Sequence, residues 1–424
     1  MNTEICFITA INFSAGIVFA LLNCATATAQ EQTSLIEIRD IYQMHTPENF
    51  DDGGPVSHYV WKNFGSFYPH ATIARTSPER LLNRATETAV ANFPITTQAN
   101  DSTLHNYVTN SPLVDGIIVL AGGKVVYESY PRMEAFERHL SWSVTKVIVS
   151  SALAALENQG KVDMAMPVEN YVPELKGTQW KGVSLRNIAN MASGISCLDR
   201  DGYQNTETCI YRYEESLGLT APVNPTQTTF ENLVTMRRHR PAGEKYEYVS
   251  ANTFVTGLVV ANVTRQPLWL ALQDLIWKKI GAESDAIMMI SADGTPATHG
   301  GISARLRDVA RFGQIFTKES SLGVIGQDHL EDLRSSKGIA FDSQQLESFN
   351  RRFPGDAPTH AAWQWDMIWP DGAMFKGGYS GQGVFVDPNR DVVVAWYGTS
   401  NIDGDSNRLL PIARHLTRSG LFDD

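Results

Sequence analysis

The sequence predicts an α+β fold, in which an antiparallel sheet built from both ends of the chain is flanked by helices and carries an inserted, mainly helical region. Two predicted β-hairpins support this fold class. One joins residues 116–120 to 125–130 through the turn Ala-Gly-Gly-Lys, and the other joins residues 383–386 to 391–397 through Asp-Pro-Asn-Arg. Long stretches of helical pattern separate them. A ligand would bind in the cleft between sheet and helical region.

The helical pattern is clearest in four segments. An apolar run at 147–156 predicts a buried helix, and a long apolar helix is predicted from about Thr253 to Ile280. Residues 304–316 read as another helix, and residues 408–420 as a terminal one. These segments lie between or beside the strands, as the α+β prediction requires.

Four regions follow from this pattern. Residues 30–110, which are irregular and rich in Thr, Pro, Asn and aromatic residues, predict an extension packed on the core. Residues 111–164 and 291–424 form the predicted sheet domain, and residues 165–290 form the mainly helical domain. The chain has 424 residues, of which 43% are hydrophobic, enough for one large domain in two parts or for two domains.

The first 29 residues predict a secretory signal peptide. Residues 5–22 are almost wholly apolar, and an Ala-x-Ala site ends at Ala29. We therefore expect a secreted or periplasmic protein with no stable membrane insertion after signal removal. Because the segment before the apolar run carries Glu4 and no Lys or Arg, an uncleaved N-terminal anchor is the competing interpretation.

The overall charge excludes two classes of partner. The formal net charge is −11 at pH 7, and the sequence pI is about 5.4. Nucleic acids and anionic membranes demand basic surfaces, so neither is expected as a partner. The ten histidines show no spacing typical of a zinc site, and we predict no metal or cofactor.

The cysteines predict one disulfide. Cys6 and Cys24 would leave with the signal peptide, whereas Cys197 and Cys209 lie twelve residues apart in a polar, loop-like segment. In an oxidising compartment we expect these two to pair and to staple the loop. Two unrelated free thiols are the alternative.

The segment Ser143-Val144-Thr145-Lys146 predicts an activated nucleophile. Residues three apart share one face of a helix, so Lys146 can contact Ser143. A serine hydroxyl needs such a neighbour to lose its proton, and a partly desolvated lysine can provide it. The buried helix that follows would place Ser143 at its N-terminus, where the helix dipole favours negative charge. An ordinary exposed helix start is the alternative.

A second cluster follows about a hundred residues later. Tyr248, Ser250 and Asn252 alternate along a predicted extended stretch, so they would share one side. A tyrosine can serve as a base only if its pKa falls well below about 10, which the ammonium of Lys146 would favour. The alternative is a packed loop tyrosine with Ser250 and Asn252 capping the next helix, and Asn252 is a plausible N-cap.

A third cluster, residues 376–382, immediately precedes the last hairpin. Its glycines would let the strand backbone approach a substrate closely, so that its N–H groups can bind an oxyanion. The alternative is a glycine-rich entry to an edge strand. Gly378-Tyr379-Ser380-Gly381 nearly matches a nucleophile elbow, but Gln382 replaces its last glycine and no helix follows, so we reject it.

The three clusters, in this order and spacing, resemble those of the penicillin-recognising serine hydrolases, which include serine β-lactamases, DD-peptidases and esterases. The chain looks most like the branch of 6-aminohexanoate-dimer hydrolase and related esterases. That likeness runs from about residue 55 to the end. It rests on segments 248–253, 378–388, 190–195 and 300–308. The resemblance implies the β-lactamase/transpeptidase-like form of the α+β fold.

The resemblance also implies roles for single residues. Ser143 would be the nucleophile, and Lys146 would activate it and hold down the pKa of Tyr248. Tyr248 would relay the proton to the leaving group, with Ser250 and Asn252 supporting this network. The remaining implied groups are the oxyanion-hole N–H groups of Ser143 and Tyr379 and the substrate-binding residues Lys376, Gly377 and Gly378.

The chain departs from the superfamily pattern in two places. The Lys-[Ser/Thr]-Gly motif of β-lactamases is Lys376-Gly377-Gly378 here, which removes a hydroxyl that helps to bind a β-lactam carboxylate. This argues against efficient β-lactam hydrolysis, while Lys376 can still attract an anionic substrate. The branch also has a loop tyrosine that helps to bind amides, for which the candidates here are Tyr203, Tyr211 and Tyr213.

The sequence therefore predicts a serine hydrolase that acts through an acyl-enzyme on a small ester or amide. The first alternative is a DD-peptidase or weak β-lactamase, which penicillins would acylate slowly and stably. The second is a non-catalytic protein that binds a cell-wall or peptide ligand.

Overall fold

The computed structural model of the chain describes residues 34–96, 101–317, 322–335, 338–400 and 408–423. The predicted signal peptide lies outside the described residues. The strands of the described part, in chain order, are β1 (His70–Ile73), β2 (Pro94–Thr96), β3 (Asp101–Thr103), β4 (Val114–Ala121), β5 (Lys124–Ser129), β6 (Arg138–Leu140), β7 (Ala286–Met289), β8 (Ile302–Arg305), β9 (Ile339–Ala340), β10 (His360–Ala362), β11 (Trp365–Ile368), β12 (Met374–Gly378), β13 (Gln382–Asp387) and β14 (Val392–Gly398).

The helices connect and cover these strands. In the same described ranges they are α1 (Leu35–Met44), α2 (Gly54–Lys62), α3 (Thr88–Ala91), α4 (Leu104–Asn110), α5 (Val144–Asn158), α6 (Leu185–Ala189), α7 (Cys209–Leu217), α8 (Thr229–Thr235), α9 (Ser250–Thr264), α10 (Leu268–Leu272), α11 (Lys278–Ile280), α12 (Leu306–Gly313), α13 (Gln327–Arg334), α14 (Ser343–Arg352) and α15 (Leu409–Thr417).

An eight-stranded antiparallel sheet joins the two ends of the chain. Its order is β5-β4-β14-β13-β12-β11-β10-β9, so the N-terminal hairpin pairs with the C-terminal strands through β4 and β14. At this junction Val394 lies opposite Val119. Both predicted hairpins are present, as β4–β5 and β13–β14. The predicted α+β fold with an antiparallel sheet built from both ends of the chain is confirmed.

The two faces of this sheet bury separate clusters of side chains. Along β14, Val393 and Ala395 point into the cluster that contains α5, whereas Val394 and Trp396 point into the cluster that contains α15. Helix α5 is buried along nearly its whole length and lies between α9 and strands β12 and β13. This packing fixes the start of α5, and hence Ser143, beside the sheet.

The described residues also form a smaller four-stranded sheet, with the order β1-β7-β8-β6, whose strands the sequence did not predict. In it β1 of the N-terminal extension pairs with β7. The extension is therefore more regular than the sequence predicts, with short helices and strands between residues 34 and 110. Helix α1 begins with a capping box formed by Ser34 and Glu37, which is a local signal for a helix start.

The predicted long helix from Thr253 to Ile280 is wrong. Helix α9 ends at Thr264, because Arg265 adopts a left-handed conformation with φ of 55° and Pro267 follows it. The chain continues as α10, a π-helical turn at Gln273–Trp277 and α11. The helix predicted at 304–316 begins at Leu306, because β8 occupies the preceding residues. Among the described helices, none has the length and apolarity to cross a bilayer.

Candidate active site

Ser143 lies at the N-terminus of α5, directly after a residue with an unusual backbone. Trp142 has a φ of 46°, a left-handed conformation that is uncommon for a bulky side chain. Its ring packs on Phe50 and Trp61, with centroid distances of 5.4 Å and 5.5 Å. These contacts hold the segment that presents Ser143. Ser143 itself is the N-cap residue of α5, where the helix dipole favours negative charge.

Lys146 contacts Ser143 from the first turn of α5. Its Nζ lies 3.1 Å from Ser143 Oγ and donates a hydrogen bond to the backbone carbonyl of His299 at 2.9 Å. The side chain is 1% exposed. Burial lowers the pKa of Lys146 to about 7, although the carboxylate of Asp199 opposes this shift. A large fraction of Lys146 is therefore neutral near pH 7 and can accept a proton from Ser143.

Tyr248 lies beside the same lysine, but its pKa is not lowered. Lys146 Nζ is 4.9 Å from the centroid of the Tyr248 ring. Burial raises the pKa of Tyr248 well above 10, and the carboxylates of Asp366 and Asp199 raise it further, whereas a hydrogen bond with Ser143 opposes the rise. The prediction that Lys146 holds this pKa down is wrong, because burial and two carboxylates outweigh the lysine. Tyr248 is a phenol at neutral pH and can donate a proton.

Ser250 begins a helix instead of continuing an extended stretch. Its backbone N–H and its Oγ both donate to the carboxylate of Asp199, at 2.7 Å and 2.5 Å. The backbone N–H of Asp199 in turn donates to the carbonyl of Tyr248 at 3.1 Å. Asp199 therefore starts α9 at Ser250 and holds the backbone of Tyr248. The alternating arrangement predicted from the sequence is wrong for this reason.

Asn252 lies within the first turn of α9, where Val249 is the N-cap residue. The predicted N-cap role of Asn252 is therefore wrong. The Asn252 side chain is fully buried, and its amide donates to Met191 Sδ at 3.5 Å. The described hydrogen bond of Asn252 thus goes to Met191, whereas the sequence predicted that Asn252 supports the Tyr248 network.

Lys376 is buried on β12 and paired with a carboxylate. Its Nζ lies 2.5 Å from Asp366 Oδ1 and donates to Tyr248 Oη at 2.9 Å. The backbone N–H of Gly377 donates to the second Asp366 oxygen at 3.0 Å. Burial lowers the pKa of Lys376, and Asp366 opposes this shift. The prediction that Lys376 attracts an anionic substrate is therefore corrected, because Asp366 already balances its charge.

The end of β12 approaches the segment that leads into Ser143. A Cβ atom on Gly378 would lie 2.7 Å from the carbonyl oxygen of Ser141, so only glycine permits this approach. The next residue, Tyr379, packs its ring on Trp142 with a centroid distance of 5.4 Å. Ser143 and Tyr379 line the same cavity, which brings the two predicted oxyanion-hole residues together.

A disulfide joins Cys197 and Cys209, the pair that the sequence predicts. The loop that it closes carries Asp199 and three residues that line the cavity, Tyr203, Gln204 and Thr206. Tyr203 donates from its hydroxyl to Asp199 Oδ2 at 2.5 Å, so both are held within the loop. Helix α7 starts at Cys209 and carries Tyr211 and Glu214, which line the cavity.

The three candidate loop tyrosines differ in their access to the cavity. Tyr203 and Tyr211 line it, and the hydroxyl of Tyr211 donates to the carbonyl of Ala221 at 2.8 Å. Tyr213 is fully buried, with its hydroxyl 3.4 Å from His299 Nδ1. Tyr203 and Tyr211 remain the candidates for contact with a substrate.

The cavity in front of Ser143 has a volume of about 260 Å³. It is lined by Pro47, Glu48, Phe50, Asp51, Trp142, Ser143, Tyr203, Gln204, Thr206, Tyr211, Glu214, Leu219, Thr220, Ala221, His299 and Tyr379. The sequence did not predict that residues of the N-terminal extension line the cavity, nor did it predict the pair of Glu214 and His299 or the carboxylates Asp199 and Asp366. Two local signals existed: Asp199 lies in the disulfide loop, and Asp366 is a single acid in an otherwise apolar strand.

A match to one protein family covers most of this chain. The family model described as Beta-lactamase matches residues 113–418. The chain belongs to the beta-lactamase family. This match contains all three sequence clusters and confirms the superfamily that the sequence resembles. As a member of the beta-lactamase family, the protein is a hydrolytic enzyme.

Individual relatives place this beta-lactamase-family enzyme near one branch. The 6-aminohexanoate-dimer hydrolase of Paenarthrobacter ureafaciens is 28% identical over 346 residues, which cover 80% of this chain and 84% of that protein. A solved structure from Bacillus anthracis that carries the same enzyme name has a TM-score of 0.74 at 19% identity, over 89% of this chain and 96% of that chain. EstCE1, a hydrolase with promiscuous acyltransferase activity, has a TM-score of 0.56 at 14% identity, over 73% of this chain and 94% of that chain. These likenesses confirm the β-lactamase-like fold.

Proposed function

We propose that the protein is a serine hydrolase that acts through an acyl-enzyme on a small ester or amide. The observation that carries this proposal is the 3.1 Å distance between Ser143 Oγ and Lys146 Nζ at the buried start of α5. With a pKa of about 7, Lys146 is a base matched to neutral pH. The cavity gives a substrate access to Ser143.

The first chemical step forms the acyl-enzyme. Neutral Lys146 takes the proton of Ser143, and Ser143 Oγ forms a bond to the carbonyl carbon of the substrate. The carbonyl oxygen becomes an oxyanion, for which the backbone N–H groups of Ser143 and Tyr379 are the proposed donors. The helix dipole of α5 also favours this negative charge.

Collapse of the tetrahedral intermediate needs a proton for the leaving group. The Tyr248 phenol supplies that proton as the bond from carbon to the leaving oxygen or nitrogen breaks. The Lys146 ammonium then returns a proton to Tyr248. In deacylation, neutral Lys146 takes a proton from water as the water oxygen bonds to the acyl carbon. The Lys146 ammonium then gives that proton to Ser143 Oγ as the bond between Oγ and the acyl carbon breaks, which restores the resting enzyme.

The cavity and the Lys376–Asp366 pair favour a small ester or amide over a β-lactam. A volume of about 260 Å³ suits a small substrate. Lys376 has its charge balanced by Asp366 and is buried, so it is poorly placed to bind a β-lactam carboxylate. The relative from Paenarthrobacter ureafaciens is named for hydrolysis of an amide-linked dimer. This supports linear amides, together with esters, as the first substrates to test.

Substitution of the nucleophile tests this proposal. Ser143→Ala should lower kcat for 4-nitrophenyl acetate by at least about 10³-fold, with an unchanged circular dichroism spectrum. Ser150→Ala is the matched control, since Ser150 lies on the same helix, is 2% exposed and has an Oγ with no hydrogen-bond partner among the described residues. Normal turnover by Ser143→Ala would overturn the proposal, and equal losses in both variants would show a structural effect.

We further propose that the enzyme is exported. The predicted signal peptide and the Cys197–Cys209 disulfide both support an oxidising compartment. N-terminal sequencing of the protein recovered from the periplasm or medium should begin at Gln30. Recovery of the uncleaved chain in the membrane fraction would favour the anchor instead.

A further inference from the structure

The N-terminal extension forms one wall of the catalytic cavity. Pro47, Glu48, Phe50 and Asp51 line the same cavity as Ser143. We call residues 47–51 the N-terminal wall. These residues precede the segment matched by the family model, which begins at residue 113. The wall therefore lies outside the part of the chain that carries the family's catalytic clusters.

The N-terminal wall is fixed relative to the nucleophile. Phe50 is 2% exposed, and its ring stacks on Trp142, the residue before Ser143, with an interplanar angle of 27°. Its backbone carbonyl accepts a hydrogen bond from Trp61 Nε1 at 2.8 Å. Trp61 is fully buried and also packs on Trp142. The wall is therefore held against the segment that positions Ser143, and its side chains keep a defined place in the cavity.

The N-terminal wall adds negative charge to the cavity. Glu48 and Asp51 are carboxylates, and a hydrogen bond from the Thr46 side chain lowers the pKa of Glu48. The described residues that line the cavity include three carboxylates and neither lysine nor arginine. The third carboxylate, Glu214, lies 2.9 Å from His299 Nε2.

Charges outside the lining do not reverse this balance at the nucleophile. Lys376, which is fully buried, is paired with Asp366. Lys146 has a pKa of about 7, and only its uncharged form acts as a base. A substrate that enters the cavity therefore meets a field dominated by carboxylates, to which the wall contributes two.

We propose that the N-terminal wall determines specificity: Glu48 and Asp51 select cationic and neutral substrates over anionic ones. This inference rests on the proposed function, because it concerns substrates of the Ser143 site. The penalty for an anion comes from carboxylate repulsion, and the advantage for a cation comes from attraction to the same groups. Both effects fall with ionic strength, since Glu48 is exposed and the cavity opens to solvent.

Three acetate esters of similar shape test the charge preference. They are 4-tert-butylphenyl acetate, its cationic isostere 4-(trimethylammonio)phenyl acetate, and the anionic 4-acetoxybenzoate. The readout is the ratio of kcat/KM for a charged ester to that for the neutral ester, measured for each protein. Comparing one ratio between proteins cancels the intrinsic reactivity of each leaving group.

The double substitution Glu48→Gln/Asp51→Asn should lower the cationic-to-neutral ratio and raise the anionic-to-neutral ratio, each by roughly 3- to 10-fold at low salt. The matched control is Glu331→Gln/Glu347→Gln, which removes the same charge from exposed residues outside the cavity lining. The control should leave both ratios unchanged.

The other possible outcomes would contradict either the specificity role of the wall or the proposed function. Unchanged ratios in the wall variant, or equal changes in the control, would overturn the specificity role of the wall while leaving the serine hydrolase intact. Wild-type protein that hydrolyses none of the three esters would overturn the proposed function, and the specificity inference with it.

Discussion

Lys376 on β12, which is fully buried, and Asp366 on the neighbouring strand β11, which is 20% exposed, form an ion pair with 2.5 Å between Nζ and Oδ1. The same ammonium donates to Tyr248 Oη at 2.9 Å. Asp366 therefore fixes Lys376, and Lys376 fixes the hydroxyl of Tyr248. A lysine expected to contact substrate instead positions Tyr248, the proposed proton donor.

Removing Asp366 should destabilise the protein. Asp366→Asn leaves the fully buried Lys376 without its counter-charge, which should lower the free energy of unfolding by about 3 kcal/mol. Urea denaturation measures this change. Asp328→Asn, at an exposed position, is the control and should have little effect. The double variant Asp366→Asn/Lys376→Met should recover much of the lost free energy of unfolding. If the effects of the two substitutions on this free energy simply add, the ion pair does not account for the loss.

The pH dependence of hydrolysis should report Lys146. Burial lowers its pKa to about 7, so it is protonated below that pH and cannot accept the Ser143 proton. We expect kcat/KM for a neutral ester to rise between pH 6 and 8 with a midpoint of about 7. The control Lys161→Met, at an exposed lysine, should keep this profile. A flat profile over this range would contradict the assignment of Lys146 as the base.

Tyr248→Phe should impair amides more than activated esters. The raised pKa keeps Tyr248 protonated, and the loss of this donor matters most when the leaving group is a poor one. We expect a decrease in kcat of roughly 10²- to 10⁴-fold for an anilide and a smaller one for a 4-nitrophenyl ester. Tyr42→Phe, on the exposed side of α1, is the control. Equal losses for both substrates would contradict proton donation to the leaving group.

The disulfide should stabilise both the fold and the site. Cys197 and Cys209 are separated by 12 positions, and closing a loop of about this size is worth about 3 kcal/mol. Cys197→Ala/Cys209→Ala should lower the free energy of unfolding by that amount. Because the loop carries Asp199 and Tyr203, KM should also rise. Unchanged KM in the folded variant would mean that other contacts suffice to hold these residues.

Local patterns predicted the parts of the molecule that depend on neighbours in sequence. The two hairpins follow from turn residues between β-branched strands, and the start of α5 follows from an apolar run after Ser143. The spacing of Ser143 and Lys146 by one helical turn predicted their contact. The structure places each of these features where the sequence indicates.

Features that depend on distant residues were not predictable in this way. Helix α9 starts at Ser250 because Asp199, far away in sequence, binds its N–H and Oγ. The pKa of Tyr248 rises because the fold buries it near Asp366 and Asp199. The N-terminal wall depends on Phe50 meeting Trp142. Each case rests on a tertiary contact that no sequence spacing encodes.

Reaction of the folded enzyme with a fluorophosphonate probe, followed by intact-mass analysis and peptide mapping, would show directly whether Ser143 is the nucleophile. An activated Ser143 predicts a single adduct, located on the peptide that contains Ser143 and absent from Ser143→Ala. No adduct on protein shown to be folded, or an adduct on another serine, would contradict the claim that Ser143 is the nucleophile.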